Sequence, residues 1–165
     1  MANYGVIDLG SNSVRLVIFD VKDGISKKKP ITCKDFRSII NDKVMAGLSA
    51  YVDAGEFTPE GIARAVDVLS GHLKRARYFN CVRTDIFATA VLRNCANSRE
   101  AISAIEKAIG APVNLLSARN EAHLSFTGAS CDRTIEKGTV VDLGGGSTEL
   151  IRVEGGCDFD DVSIG

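Results

Sequence analysis

Short apolar runs alternating with longer amphipathic stretches set the pattern of this chain. Tyr4 to Leu9 is apolar and bounded by Gly10, as a buried strand is. Leu16 to Val21 repeats the pattern, with a turn at Lys22-Asp23-Gly24. The polar, alternating ISKKKPITCKDFRSI that follows reads as an exposed strand whose lysines mark a solvated edge or turn. TPEGIARAVDVLSGHLKRARYF is the clearest helix: Thr58 caps it, Pro59 suits its first position, and Ile62, Val66, Leu69 and Leu73 form one apolar stripe. Asp85 to Thr89 reads as a strand. Ser98 caps a second helix carrying Ile102, Ile105 and Ile109, with Gly110 and Pro112 closing it. Val113 to Leu116 is a further strand, and Ser117 caps a third helix running to about Ser130.

Strands alternating with helices predict an α/β fold with a largely parallel inner sheet. The last thirty residues break that rhythm. Thr139–Leu143, Glu149–Val153 and Asp158–Ile164 predict three strands joined by GGGS and EGGC turns, a meander with no helix after it. One face of such a sheet needs a cover. Nothing later in the sequence supplies one, so the chain reads as cut short or reliant on a partner, and self-association by exchange of this segment is expected.

The chain has 165 residues, 45% of them hydrophobic and 25% charged, which suits a soluble globular protein with a true core. Net charge is −1, which argues against a general nucleic-acid binder. From Glu136 onward seven acids face two bases, a balance of −5, leaving +4 over residues 1–135. The first part can attract an anion and the tail can hold a cation. Five cysteines (33, 81, 95, 131, 157) without a CxxC pair, and only His72 and His123, give no zinc framework, and they read as free thiols of a reducing cytosol. No apolar run is long enough for a membrane span, and no signal peptide opens the chain, so a cytoplasmic protein is expected.

Two stretches carry the chemistry. VIDLGSNSVRL (Val6 to Leu16) and VVDLGGGSTEL (Val140 to Leu150) agree at six of eleven positions. In each, a strand delivers an aspartate, a glycine and small-hydroxyl turn follows, and a second strand leads away. Such turns bring backbone close to a ligand, and their successive amides form an anion-holding nest. Gly10, Ser11, Asn12 and Ser13 in the first copy, and Gly144, Gly145, Gly146, Ser147 and Thr148 in the second, are the candidate phosphate binders. Aspartates at the strand ends suit Mg²⁺, which takes few carboxylates and keeps its waters. Asp142 is the first candidate ligand, with Asp8 and Glu149 beside it in role. Taken singly, either aspartate also fits an Asx-capped turn, and Glu149 a solvent-facing strand position. Two copies predict two similar sheets facing each other, both tips on one phosphate chain.

This pair of motifs resembles the phosphate motifs of the actin-like and sugar-kinase-like superfamily. Within it the wording is similar to that of the exopolyphosphatase / guanosine pentaphosphate phosphatase (Ppx/GppA) family. DLGSNS spans Asp8 to Ser13, and ATAVLRNCAN (Ala88 to Asn97) matches the family's AT-x-x-LR-x-A-x-N with Cys95 at a usually small or polar position. SARNEAHLSF (Ser117 to Phe126) matches SG-x-EEA, and DLGGGSTEL matches DIGGGSTEL. VMAGLSAYVDAGEFTPEGIARA resembles the family's loop-then-helix passage. Ala118 and Asn120 depart from SG-x-EEA, but the glutamate before alanine is kept as Glu121.

The resemblance implies an α/β, ribonuclease-H-like (actin-like ATPase) lobe over residues 1–125, with a mixed five-stranded sheet and flanking helices. Residues 126–165 would then be the first strands of a second, similar lobe. It implies Mg²⁺-dependent removal of terminal phosphate from polyphosphate or guanosine pentaphosphate. The apolar surface of the bare meander predicts a homo-oligomer, a dimer, and charge and hydropathy predict no nucleic-acid or membrane partner. Glu121 would activate the attacking water and Arg93 would fork onto phosphate oxygens. On position alone, Glu121 also fits a helix-dipole glutamate and Arg93 a surface arginine. A kinase or ATPase of the superfamily, or a non-catalytic phosphate-binding module, are the alternatives. His123 lies on another helical face from Glu121, and Cys95 has no activating base in the sequence beside it.

Overall fold

The computed structural model describes residues 1–22 and 32–154 in full and the backbone of Asp158–Ile164. The triple lysine at 27–29, the turn residues 23–24 and the turn at 155–157 lie outside the described residues.

A hairpin opens the fold. β1 (Ala2–Leu9) and β2 (Ser13–Val21) pair antiparallel, Asp8 opposite Arg15 and Leu9 opposite Val14. β3 (Phe36–Met45) adds to β2 as an edge strand, and most of its side chains are exposed or half-buried, as its polar alternation predicts. A 3₁₀ turn at Leu48–Tyr51 and a two-residue ribbon, β4 (Val52–Asp53) with β5 (Glu56–Phe57), lead into α1 (Pro59–Tyr78). β6 (Cys81–Ala88) joins β1 in parallel. Two helices follow, the short α2 (Ala90–Arg93), which the sequence pattern did not announce, and α3 (Ser98–Ile109). β7 (Asn114–Leu115) completes a five-stranded sheet in the order β3-β2-β1-β6-β7. The sheet is mixed rather than largely parallel, because the first two strands are a hairpin and only β6 and β7 arrive by helical crossovers.

Alternation along the hairpin drives one face of the sheet into the core. Ile7, Leu9, Val14, Leu16 and Ile18 are fully buried and pack with Ala65, Leu69 and Leu73 of α1 and Ile105 of α3. Burying each such side chain stabilises the fold by about 1.5–3 kcal/mol. The buried stripe of α1 runs through Gly61, Ala65, Val68, Leu69, His72, Leu73 and Ala76, so Ile62 and Val66 lie at its rim rather than its centre. Thr58 caps α1 as expected, its Oγ1 accepting from Gly61 N at 3.2 Å. Ser98 does not cap α3. It is the helix's first residue, and Asn97 occupies the cap position with its side chain engaged on both polar groups of the Phe57 backbone, each at 2.9 Å. Gly110 closes α3 in the left-handed conformation, φ 67°.

α4 (Ala118–Ala129) begins at Ser117, whose Oγ accepts from Asn120 N at 3.2 Å. The meander then forms as read: β8 (Lys137–Leu143), β9 (Thr148–Glu154) and β10 (Asp158–Ile164), in the order β10-β9-β8. The expectation that nothing covers it is corrected. α4 packs on this sheet, burying Ala122 against Ile151 and Val153, with Phe126, Ile135 and Val140 around them. The cover precedes the sheet in sequence instead of following it, and the boundary expected at residue 125 falls inside this helix. Among the described residues, Val141 (52%) and Leu143 (77%) of β8 are exposed on the other face. Among the described residues no helix is long and apolar enough to cross a membrane.

Two glycines of α1 give opposite expectations. A Cβ on Gly61 would stand 2.7 Å from Tyr51 Cβ and 2.8 Å from the Phe57 ring, whereas one on Gly71 meets nothing within 4 Å. Gly61→Ala is expected to destabilise the fold by about 1–3 kcal/mol through overpacking. Gly71→Ala is expected to stabilise it by about 0.5–1 kcal/mol through helix propensity. Denaturant midpoints check both, and equal effects would contradict this packing.

Candidate phosphate-binding cleft

The two repeated sentences fold into two copies of one turn. In the first, Gly10 N donates to Ser13 O at 3.1 Å; in the second, Gly144 N donates to Ser147 O at 2.9 Å. The first tip is braced from behind: the Asn12 carbonyl accepts from Ala46 N (3.0 Å) and Gly47 N (2.9 Å), and the Ser11 carbonyl from Ser49 N (2.9 Å). Among the described residues, the amides of Ser11, Asn12, Gly145 and Gly146 donate to no backbone group, which leaves them available to an anion.

The tips touch. A Cβ on Gly145 would lie 2.7 Å from Asn12 Nδ2, and one on Gly146 would collide with Ser11 Oγ. A Cβ at either position would have to displace the Asn12 or Ser11 side chain, so this close approach favours glycine. Between and around the tips opens a cleft of about 510 Å³. Of the residues singled out from sequence, Asp8, Gly10, Ser11, Asn12, Ser13, Glu121, Asp142, Gly144, Gly145, Gly146, Ser147 and Glu149 line it. Thr148 and Arg93 do not. Thr148 sits just past the tip, paired with Leu143.

Arg93 stands behind Glu121 instead of facing the cleft. Its Nη1 donates to Glu121 Oε2 at 2.5 Å and to the Leu116 carbonyl at 3.1 Å, and both side chains are more than four-fifths buried. Its visible work is to hold Glu121, at the first turn of α4, in one direction. Burial raises the Glu121 pKa, the Arg93 hydrogen bond lowers it, and Glu149 and Asp8 raise it again; the net direction is upward. Asp8 is also raised, by the protein around it first and by Asp142, against the pull of Arg15. Water reaches Asp8 through the mouth of the cleft, yet protein encloses it on most sides.

Asp142 and Glu149 are paired directly across β8 and β9, and Ser125 Oγ donates to Asp142. Glu149 is buried to 1% exposure, so the solvent-facing alternative does not hold. Among the described residues no three acidic, histidine or cysteine side chains converge as a ready-made metal cage. The donors on offer are carboxylate and hydroxyl oxygens around the cleft. That set fits Mg²⁺, which is held through one or two carboxylates and completes its shell with water and phosphate.

Arg15 and Lys43 also line the cleft, and the sequence reading missed both. They share one row with Asp8 across the sheet, Asp8 opposite Arg15 and Arg15 opposite Lys43. Arg15 Nη1 further donates to Asn41 Oδ1 at 2.9 Å. The signal was present in SNSVRLVIF, where Val14, Leu16 and Ile18 face the core and Arg15 must therefore face the other way. His123 is exposed. Cys95 is buried, donates to the Val91 carbonyl at 3.0 Å, and has its pKa raised by burial, as a structural thiol does.

Two glycine-rich hairpins meet across a cleft beside a mixed five-stranded sheet with flanking helices, the actin-like ATPase fold expected from sequence. The chain belongs to the Ppx/GppA phosphatase family, whose model matches residues 6–163. It is 30% identical to Exopolyphosphatase 2 of Mycobacterium tuberculosis over 162 residues, 93% of this chain and 49% of that protein. It is also 30% identical to the guanosine-5'-triphosphate,3'-diphosphate pyrophosphatase of Photobacterium profundum, over 92% of this chain and 29% of that one. The crystal structure of an exopolyphosphatase from Cytophaga hutchinsonii superposes with a TM-score of 0.83 at 25% identity, covering 98% of this chain and 50% of the other. The chain thus spans about half, or less, of the length of these relatives.

The raised pKa of Asp8 has a definite sign for stability. Ionising it costs the folded state more than the unfolded state, so the cost is present above the folded pKa and gone below the unfolded value near 3.8. Asp8→Asn is therefore expected to raise the melting temperature of the ligand-free protein at pH 8, with the gain fading as pH falls towards 4. A lower melting temperature for the variant at pH 8 would contradict this electrostatic account.

Proposed function

We propose that this cleft grips the end of a phosphoanhydride chain and that the protein is a phosphohydrolase releasing terminal phosphate from inorganic polyphosphate, guanosine pentaphosphate or both. One observation carries the proposal: two glycine tips with uncommitted amides meet in the same cleft that Glu121 enters. The relatives named as exopolyphosphatase and as guanosine-5'-triphosphate,3'-diphosphate pyrophosphatase support the same reading.

In this reading the tip amides and the hydroxyls of Ser11, Ser13 and Ser147 hold the terminal phosphoryl group. Water attacks its phosphorus in line, the bond to the bridging oxygen breaks, and the shortened chain leaves with that oxygen. Glu121 takes the proton of the attacking water. A carboxylate raised by burial is closer to neutral pH and a better base there than an ordinary glutamate. Arg93 sets its direction and limits its rise, so that it remains ionised enough to act. Asp142, with Glu149 and Asp8 nearby, would hold Mg²⁺, which supplies positive charge to the phosphate oxygens. Arg15 and Lys43 would neutralise the phosphates further along the chain.

Phosphate release from long-chain polyphosphate and from guanosine pentaphosphate, measured with this chain and with any longer native form, tests the proposal. Glu121→Gln is expected to lower kcat by about 10²–10⁴-fold with little change in KM. Turnover unaffected by that substitution would overturn it. A strict requirement for ATP and a hydroxyl or carboxyl acceptor would replace it with a kinase.

A further inference from the structure

His72 of α1 is buried to 3% exposure, and no step proposed for the cleft uses it. Its Nε2 lies 3.3 Å from the Val14 carbonyl of β2, and its Nδ1 lies 3.5 Å from Asp42 Oδ2 of β3. Arg75, one turn further along α1, donates to the same Asp42 oxygen. The residues that follow Val14 and Asp42 in sequence are Arg15 and Lys43, which stand opposite each other across β2 and β3 and line the cleft. One side chain of α1 therefore touches, from the core side, both strands that deliver these two cations.

Both contacts of the ring are acceptors, since neither a carbonyl nor a carboxylate can donate. A neutral imidazole carries one N–H, so it satisfies one of them and turns a lone pair towards the other. The carbonyl is the nearer, so Nε2 carries the proton of the neutral ring and Nδ1 presents its lone pair to Asp42. Taking up a second proton converts that repulsive approach into an ion pair. Among the described residues, the charged groups in this contact are Asp42 and Arg75. Arg64, two turns earlier on α1, is paired with Asp67, and Asp20, on the same face of β2 at its far end, with Arg37. The other elements packed on α1 bring apolar side chains to the core, Ile7 and Leu9 from β1, Ile86 from β6, Leu48 from the 3₁₀ turn and Ile105 from α3. The thiols of Cys81 and Cys95 in that core have their pKa raised by burial and stay neutral.

We propose that His72 is a proton-dependent positioning residue: its second proton ties β3 to α1 through Asp42 and so sets Lys43 beside Arg15 to receive an anion. β3 is the edge strand of its sheet, held by β2 on one side, so a contact from the helix beneath has leverage on it. Arg75 keeps Asp42 partnered in either state, so the proton adjusts the tie instead of making or breaking the strand. With the ring charged, the carboxylate is drawn from two sides and the next residue, Lys43, is fixed on the opposite face. With the ring neutral, the Nδ1 lone pair pushes the carboxylate away and Lys43 is held less firmly. Anion affinity is therefore higher in the protonated protein. That effect rests on the phosphate reading of the cleft, whereas the placement of the ring's protons does not.

Two measurements on the full chain test this. The ring nitrogen resonances of the isotope-labelled protein are followed between about pH 5 and pH 8, the range in which histidine changes charge. The expected result is an Nε2–H tautomer of His72 at the upper end and a second proton on Nδ1 at the lower end. An Nδ1–H tautomer, or a ring that does not change across the range, would overturn the proposal. Tripolyphosphate affinity in the presence of Mg²⁺ is then measured at both ends of the range for the unchanged chain, His72→Gln and Asp42→Asn. Protonation of the ligand and of the cleft carboxylates is common to all three proteins and cancels in their ratios. The affinity of the unchanged chain relative to either variant is expected to be about threefold greater at the lower pH than at the upper. Ratios independent of pH contradict the proposal. So does a pH-independent ratio for Asp42→Asn alone, because the ring's charge would then act without the tie to β3. Absence of binding by all three proteins overturns the phosphate reading and the effect on affinity with it, while the tautomer is decided by the first measurement alone.

Discussion

Gly145 and Gly146 bring the backbone of the second hairpin against Asn12 and Ser11 of the first with no space for a methyl group. That contact decides the character of everything around it. It brings together two sets of unused amides from opposite ends of the chain and, with them, the aspartate that each strand delivers to its tip. The same convergence crowds Asp8, Glu121, Asp142 and Glu149 into one cleft, where burial and mutual repulsion raise the pKa of two of them. A site of this kind holds two opposed demands. Its amides, Arg15 and Lys43 call for an anion, while its carboxylates call for a cation. A phosphate chain accompanied by a divalent ion satisfies both, and few other ligands do.

α4 links the two halves of this arrangement. Its inner face, through Ala122 and Phe126, is the cover of the second sheet; its first turn presents Glu121 to the cleft; and Arg93, at the end of α2 beyond β6, fixes that carboxylate from the side of the first sheet. The helix thus couples packing to chemistry. A displacement of the second sheet would move Glu121 relative to Arg93 and to the first tip together. Arg93, expected to fork onto phosphate, has in this structure the partly buried Glu121 carboxylate as its partner and does not line the cleft.

Much of this was legible because the relevant patterns are local. A strand, an aspartate and a glycine turn follow one another within a few residues, and the duplication made them visible. Caps such as Thr58 and Ser117 are read from their own turns. What escaped notice depends on pairings between distant segments. Arg15 and Lys43 enter the cleft through strand register, which alternation implies but does not fix until the partner is known. Asn97, not Ser98, stands at the cap position of α3, and its amide is engaged by the backbone of Phe57, forty residues earlier. α4 was not recognised as the meander's cover because its apolar pattern is sparse and it lies before the sheet it protects.

The central claim is that both hairpin tips bind the same anion. It is tested most directly by following the backbone amide resonances of the isotope-labelled chain as tripolyphosphate is added in the presence of Mg²⁺. The account predicts that Ser11 and Asn12 shift together with Gly145 and Gly146 along a single saturation curve, and that Gly146→Ala weakens the response of both tips. Shifts confined to one tip, or two tips saturating at unrelated concentrations, would contradict it.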